Sequence, residues 1–251
     1  MIMAKQVDFE IEKFYRRLSR PLNDYSLKRR WQDVLCDKKW KRFLKISWPF
    51  SYLPFVDFVL GAGSMALGNV HKNSDFDVIV GCRSNRIFTA RFFCVLIFGL
   101  FGWRRRKLIH HTEEASDKIC FNHFVTEKSF KLSPPYNIYW RELYKNLAPI
   151  FGEPAVIKKF YEANGWADAV YFADKRHIFK KSNSGKIFWE TILNGWLGDY
   201  LEKFLKAVQI KRIEKNLKKE ANGFQPRVKY GDEELEFHPD TKRISDLIRE
   251  V

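Results

Sequence analysis

Two aspartates one residue apart, Asp75 and Asp77, head an apolar run, and a small-residue loop, GAGS at 61–64, precedes them by about a dozen positions. Side chains alternate across a strand, so Asp75 and Asp77 project to one face while Phe76 and Val78 take the other. Carboxylates held that close repel each other unless a cation sits between them. Mg²⁺ (or Mn²⁺), bound by one or two carboxylates with substrate phosphates completing its shell, suits these residue types. The loop supplies a complementary half. Gly61, Gly63 and Ser64 are small enough for backbone N–H groups to approach phosphate oxygens, Ser64 adds a hydroxyl, and a helix starting near Met65 would aim its positive end at the same point.

Each feature alone has an ordinary explanation, a tight turn or a solvent-facing strand edge. Their order, a glycine-serine turn followed by D-h-D-h-h-h (h, hydrophobic), is more specific. Here the chain resembles the nucleotidyltransferase superfamily, the fold of polymerase β, CCA-adding enzymes and poly(A) polymerases, through Gly63-Ser64 and Asp75-Phe76-Asp77. The resemblance spans about residues 50–130. It implies an NTP, ATP by expectation, with its phosphates at Gly63 and Ser64 and Mg²⁺ at Asp75 and Asp77. An acceptor hydroxyl would then attack the α-phosphorus and release pyrophosphate.

Active members of that superfamily usually carry a third carboxylate on a later strand. On the candidate strand KICFNHFV at 118–125 the position expected to face the acids is Asn122, an amide that can coordinate through oxygen but cannot act as a base. Asp117 and Glu127 are the nearby acids, and each needs a different register. A second reading follows: a catalytically silent nucleotidyltransferase fold that binds nucleotide or RNA.

The elements that must position this site are a strand from Phe55, a helical turn after it, a strand DFDVIVGC, an apolar helix over 87–103 and the strand at 118–127. Helix-period patterns precede them at 9–18 and 27–46. Beyond Pro134-Pro135 the pattern is helical through 137–152 and 153–170. A long helical run starts at Ile187, with Leu193, Trp196, Leu197, Tyr200, Leu201, Phe204 and Leu205 read as core. A hairpin around Gly231-Asp232 and a final helix close the chain. The expected class is α+β: a mixed sheet with flanking helices and a C-terminal helical region, divided into N-terminal helices (1–50), a nucleotidyltransferase core (51–134), a helical domain (135–223) and a tail (224–251).

Charge bears on partners. Lys and Arg number 45 against 30 Asp and Glu, a net +15 that concentrates polyanions near the surface and slightly favours RNA, tRNA included, as acceptor. Trp31 and Trp40 interleaved with Arg29, Arg30, Lys38, Lys39, Lys41 and Arg42 form either a stacking and phosphate-contacting surface or buried tryptophans beside solvated charges. The cysteines Cys36, Cys82, Cys94 and Cys120 show neither metal-ligand spacing nor a disulfide framework. The N-terminus carries no secretory h-region, which makes the cytoplasm the expected location. As a helix, 87–103 would rise about 25 Å, short of the roughly 30 Å hydrocarbon core, and Arg91 interrupts it. Membrane association is therefore not expected, although a surface contact through this run and the basic residues after it is a third reading. His71, His110, His111 and His123 are assigned structural or solvent roles, and His238 has no evident partner.

Overall fold

The computed structural model describes residues 24–105, 116–133, 138–168, 182–217 and 227–238. Its helices are α1 (Asp24–Ser47), the single turn α2 (Gly63–Ala66), α3 (Ile87–Leu100), α4 (Ile138–Lys145), α5 (Pro154–Ala163), α6 (Ser184–Ile192) and α7 (Trp196–Leu217). Its strands are β1 (Val56–Gly61), β2 (Phe76–Cys82), β3 (Ile119–Val125), β4 (Ala148–Gly152), β5 (Arg227–Tyr230) and β6 (Glu234–His238). They form one six-stranded sheet in the order β4-β1-β2-β3-β6-β5. The β2/β3 pair is parallel and the other pairs are antiparallel, so the chain needs α3 to cross from β2 to β3. The chain is thus α+β, a mixed sheet flanked by helices with a C-terminal helical region.

Alternation along the strands divides the apolar side chains between two cores. On one face Phe76, Val78, Val80, Phe121, Phe124, Leu235 and Phe237 pack with residues of α1, α3 and α7. On the other, Phe58, Leu60, Ile79 and Val125 meet Trp140 and Tyr144 of α4 and Ile157 and Phe160 of α5. Glu202 ties α7 to the start of α3: its carboxylate accepts from Phe88 N at 2.9 Å, Thr89 N at 2.8 Å and Thr89 Oγ1 at 2.5 Å. Those amides have no partner inside their own helix, and a carboxylate is the natural acceptor there.

Several expectations are corrected. The segment read as helical through 137–152 is helix only to Lys145; Ala148–Gly152 is an edge strand on β1. Pro149 is tolerated there because an edge strand leaves one side of its backbone unpaired. The run from Ile187 is two helices, α6 and α7, separated around Asn194 and Gly195, residues with weak helix propensity. Leu193 and Leu205 are buried as expected, whereas Trp196, Leu197, Tyr200 and Phe204 are exposed, as is Trp31. The apolar helix ends at Leu100, and Phe92, Leu96 and Leu100 line a solvent-facing side. No helix among the described residues is long and apolar enough to cross a membrane. The expected helix at 9–18, the final helix, and His110 and His111 lie outside the described residues.

Candidate functional site

Phe76, the residue between the two aspartates, is fully buried and stacks on Phe43 of α1 with ring centroids 4.9 Å apart. Burying a phenyl ring stabilises by about 2–3 kcal/mol, so the hydrophobic side of β2 fixes which way its acids face. Asp75, one residue before β2, and Asp77, within it, are partly buried. A carboxylate oxygen of each and the Cys120 sulfur lie within 4.8 Å of one another.

Gly63 closes on this pair. Its φ of +65° lies in the left-handed region, and a Cβ placed on it would collide with the Asp77 carboxylate and stand 3.0 Å from Asp77 Cβ and Cγ. The turn is pinned there because Ala62 N donates to Asp77 O at 2.9 Å and Asn69 N to Ser64 O at 2.9 Å, with Met65 and Val70 buried beneath. Ser64 sits in the same turn. The expected helix after the loop starts earlier, at Gly63, and lasts one turn, so its dipole contributes little.

Asn122 is the third member. Its Nδ2 donates to Asp77 Oδ1, and its Oδ1 accepts from the Cys120 thiol at 2.7 Å. A break in the β2/β3 register between Val78 and Ile79 leaves Asn122 between the partners of those two residues, Phe121 and His123. Such a bulge is how a strand re-aims one side chain without losing its neighbours. The acids considered as alternatives are engaged elsewhere: Asp117 with Lys39 at 2.8 Å, and Glu127 with Lys159 at 2.9 Å.

No protein-family model, curated protein or solved structure matches this chain. What the site can do therefore rests on its own geometry.

Arg105 completes the site. Residues 103–105 run beside the start of β3, with Ile119 N donating to Trp103 O and Arg105 N to Ile119 O, which brings Arg105 Nη1 to 2.7 Å from Asp75 Oδ2. Burial works against the guanidinium charge, yet Asp75, with help from Cys120 and Asp77, holds its pKa above the ordinary arginine value. The sequence places Cys120 among cysteines without metal-ligand spacing and Arg105 among the basic residues after the apolar run, so neither is assigned to the acids there: Cys120 would follow from the alternation that selects Asn122, whereas Arg105 depends on a fold-back that no local pattern announces.

α1 braces the loop between turn and strand. Lys39, only 4% exposed, donates from Nζ to Ser74 O at 2.8 Å and to Asp117 at 2.8 Å, while Gln32 Nε2 donates to Asn69 Oδ1 at 2.8 Å. Lys39→Met keeps the aliphatic packing and removes both bonds. We expect a loss of about 1–3 kcal/mol in urea unfolding, since the Ser74 carbonyl loses a charged donor.

A second polar cluster shares β3 with the first and is completed by β5 and β6. His123 Nε2 is 2.9 Å from Glu234 Oε1; Glu236, wholly buried, has His238 Nε2 at 3.2 Å and Arg227 Nε at 2.8 Å. Burial opposes the Glu236 charge, but His238, His123 and Arg227 outweigh it and bring its pKa down to about 2. His123, expected to be structural or solvent-facing, is buried beside Glu234, and His238, for which the sequence offers no evident partner, lies against Glu236. The signal that sequence reading passed over is the period-two run Glu234, Glu236, His238 on one strand.

Proposed function

We propose that this chain is a Mg²⁺-dependent nucleotidyltransferase of the polymerase β type, transferring a nucleoside monophosphate from an NTP to an acceptor hydroxyl. The observation that carries the reading is the contact of the Gly63 turn with the Asp77 carboxylate, beside Asp75. It keeps the turn's backbone within reach of whatever Asp77 binds. The donor set suits the ion, since two carboxylates are hard oxygen ligands. When held by Asp75 and Asp77, Mg²⁺ would stabilise charge on the attacking and leaving oxygens.

The chain's own residues then have definite tasks. Asp75 and Asp77 bind the cation, and the Gly63-Ser64 turn takes the phosphates. Arg105, ion-paired with Asp75 at 2.7 Å, is a cation that can turn to a phosphate once Asp75 is engaged. The acceptor oxygen bonds to the α-phosphorus as its bond to pyrophosphate breaks. The acceptor proton passes to solvent, because the Asn122 amide has no basic site. Exposed Arg29, Lys38, Lys41, Arg42 and Trp31 lie on α1, the helix joined to the glycine turn through Gln32, and together with the +15 charge they favour RNA as acceptor. Such a reaction belongs in the cytoplasm, where NTPs and RNA meet.

A specific observation favours the second reading, a silent nucleotide- or RNA-binding module: Asn122 offers Asp77 a hydrogen bond where a third carboxylate would stand. Incubation with labelled NTPs, Mg²⁺ or Mn²⁺ and a pool of small RNAs separates the two. We expect label transfer that Asp75→Ala and Asp77→Ala abolish. Metal-dependent NTP binding without transfer selects the module, and the absence of both defeats either reading.

A further inference from the structure

The bulge in β3 that exposes Asn122 to Asp77 is followed by His123, whose partner on β6 is Glu236. Glu236 shares its face with Glu234 and His238, because residues two apart on a strand project the same way. A ring nitrogen of His123, a ring nitrogen of His238 and a carboxylate oxygen of Glu236 lie within 4.8 Å of one another. We propose that these three side chains bind a divalent transition-metal ion, with Zn²⁺ the expected occupant.

The arrangement of hydrogen bonds supports this. His123, 1% exposed, engages Glu234 through Nε2, while its buried Nδ1 has no hydrogen-bond partner. A neutral imidazole that donates one N–H to a carboxylate presents a lone pair on the other nitrogen, which is the standard arrangement of a histidine metal ligand and its supporting carboxylate. The buried Nδ1 of His123 has no hydrogen-bond partner, and a cation bound there would remove the cost of leaving it so. His238 Nε2 lies 3.2 Å from Glu236 Oε1, so a second imidazole nitrogen and a carboxylate oxygen are close together in the same cluster. Two imidazoles and one carboxylate are a borderline-soft set that suits Zn²⁺ better than Mg²⁺.

Arg227 and Lys229 sit at 2.8 Å and 3.5 Å from Glu236 oxygens and are matched in charge by Glu234 and Glu236. They reduce the attraction for a cation without occupying the histidine nitrogens. Trp140 stacks edge-on against His238, centroids 5.1 Å apart, and shields that side from water.

Co²⁺ titration of the full, untagged chain provides the test, because cobalt reports both geometry and ligand type in its visible spectrum. One equivalent should bind with tetrahedral d–d bands and without a thiolate-to-cobalt band, and excess Zn²⁺ should bleach them. Cys120, in the cluster with Asp75 and Asp77, would add the thiolate band, so the spectrum separates the two places. His123→Gln or His238→Gln should weaken binding by about 100-fold or more, and Glu234→Gln by about 10- to 100-fold. If His123→Gln fails to fold by circular dichroism, His238→Gln at the end of β6 gives the same reading. No tetrahedral band, a thiolate band, or unchanged affinity in the histidine variants overturns the proposal.

Discussion

Replacing Asn122 with aspartate is expected to destabilise the metal-free protein by about 2–4 kcal/mol at neutral pH and to make its stability depend on Mg²⁺. The substitution is nearly isosteric, so packing hardly changes. What changes is the sign of one contact: an amide that donates to Asp77 Oδ1 becomes an acceptor facing another acceptor, at a position only 8% exposed. The Cys120 thiol, 2.7 Å from Asn122 Oδ1, still has an oxygen to donate to and relieves little of the repulsion. Like charge and burial raise the new carboxylate's folded pKa above its unfolded value. An acid shifted upward destabilises above that unfolded pKa, and the cost disappears as pH falls below it, so variant and wild type should converge in acid. The urea midpoint should fall with unchanged slope.

Mg²⁺ should reverse the loss. A third carboxylate raises the ligand charge, and affinity should increase by about ten-fold or more. Transfer in the labelled-NTP assay should rise with it. A variant as stable as wild type without metal would mean that Asn122 does not face Asp77 in solution. A destabilised variant that Mg²⁺ fails to rescue would mean that the acids do not form a cation site.

The acid pair was legible because strand alternation is local: burying Phe76 against Phe43 orients its neighbours, and no distant contact is needed to infer that. Asn122 was legible for the same reason once β3 was assumed to lie beside β2. The bulge between Val78 and Ile79 could not be foreseen, because it arises from two strands fitting each other. It also carries the consequence that Asn122 serves one polar cluster and His123 the next. The β6 cluster was missed because its parts come from β3 and a hairpin more than a hundred residues later, and only the sheet order makes them neighbours. Helix content was over-assigned at Ala148–Gly152, where sheet pairing overrode a pattern too short to separate helix from strand. The exposed aromatics of α7 expose the opposite weakness: helical spacing of Trp196, Tyr200 and Phe204 identifies a common face but not whether that face is covered.

The second large effect concerns two glycines of one turn, and the contrast between them is the sharpest test of the site. Gly63 and Gly68 have nearly equal φ values, +65° and +67°, so alanine at either incurs a similar backbone strain of about 1–2 kcal/mol. Their surroundings differ. Around Gly68 a Cβ meets nothing within 4 Å, whereas at Gly63 it collides with the Asp77 carboxylate. Asp77 has little room to retreat: its carbonyl accepts from Ala62 N, its strand is paired on both sides, and Asn122 holds its carboxylate. The turn must move instead, and with it the backbone amides assigned to the phosphates. Gly68→Ala should therefore lose only the strain and bind Mg²⁺-NTP as wild type does. Gly63→Ala should lose about 2–4 kcal/mol in urea unfolding. Its Mg²⁺-dependent NTP affinity should fall about 100-fold, equivalent to roughly 3 kcal/mol. Equal behaviour of the two variants would show that the approach of turn to aspartate has no part in binding, and the nucleotidyltransferase reading would lose the observation on which it stands.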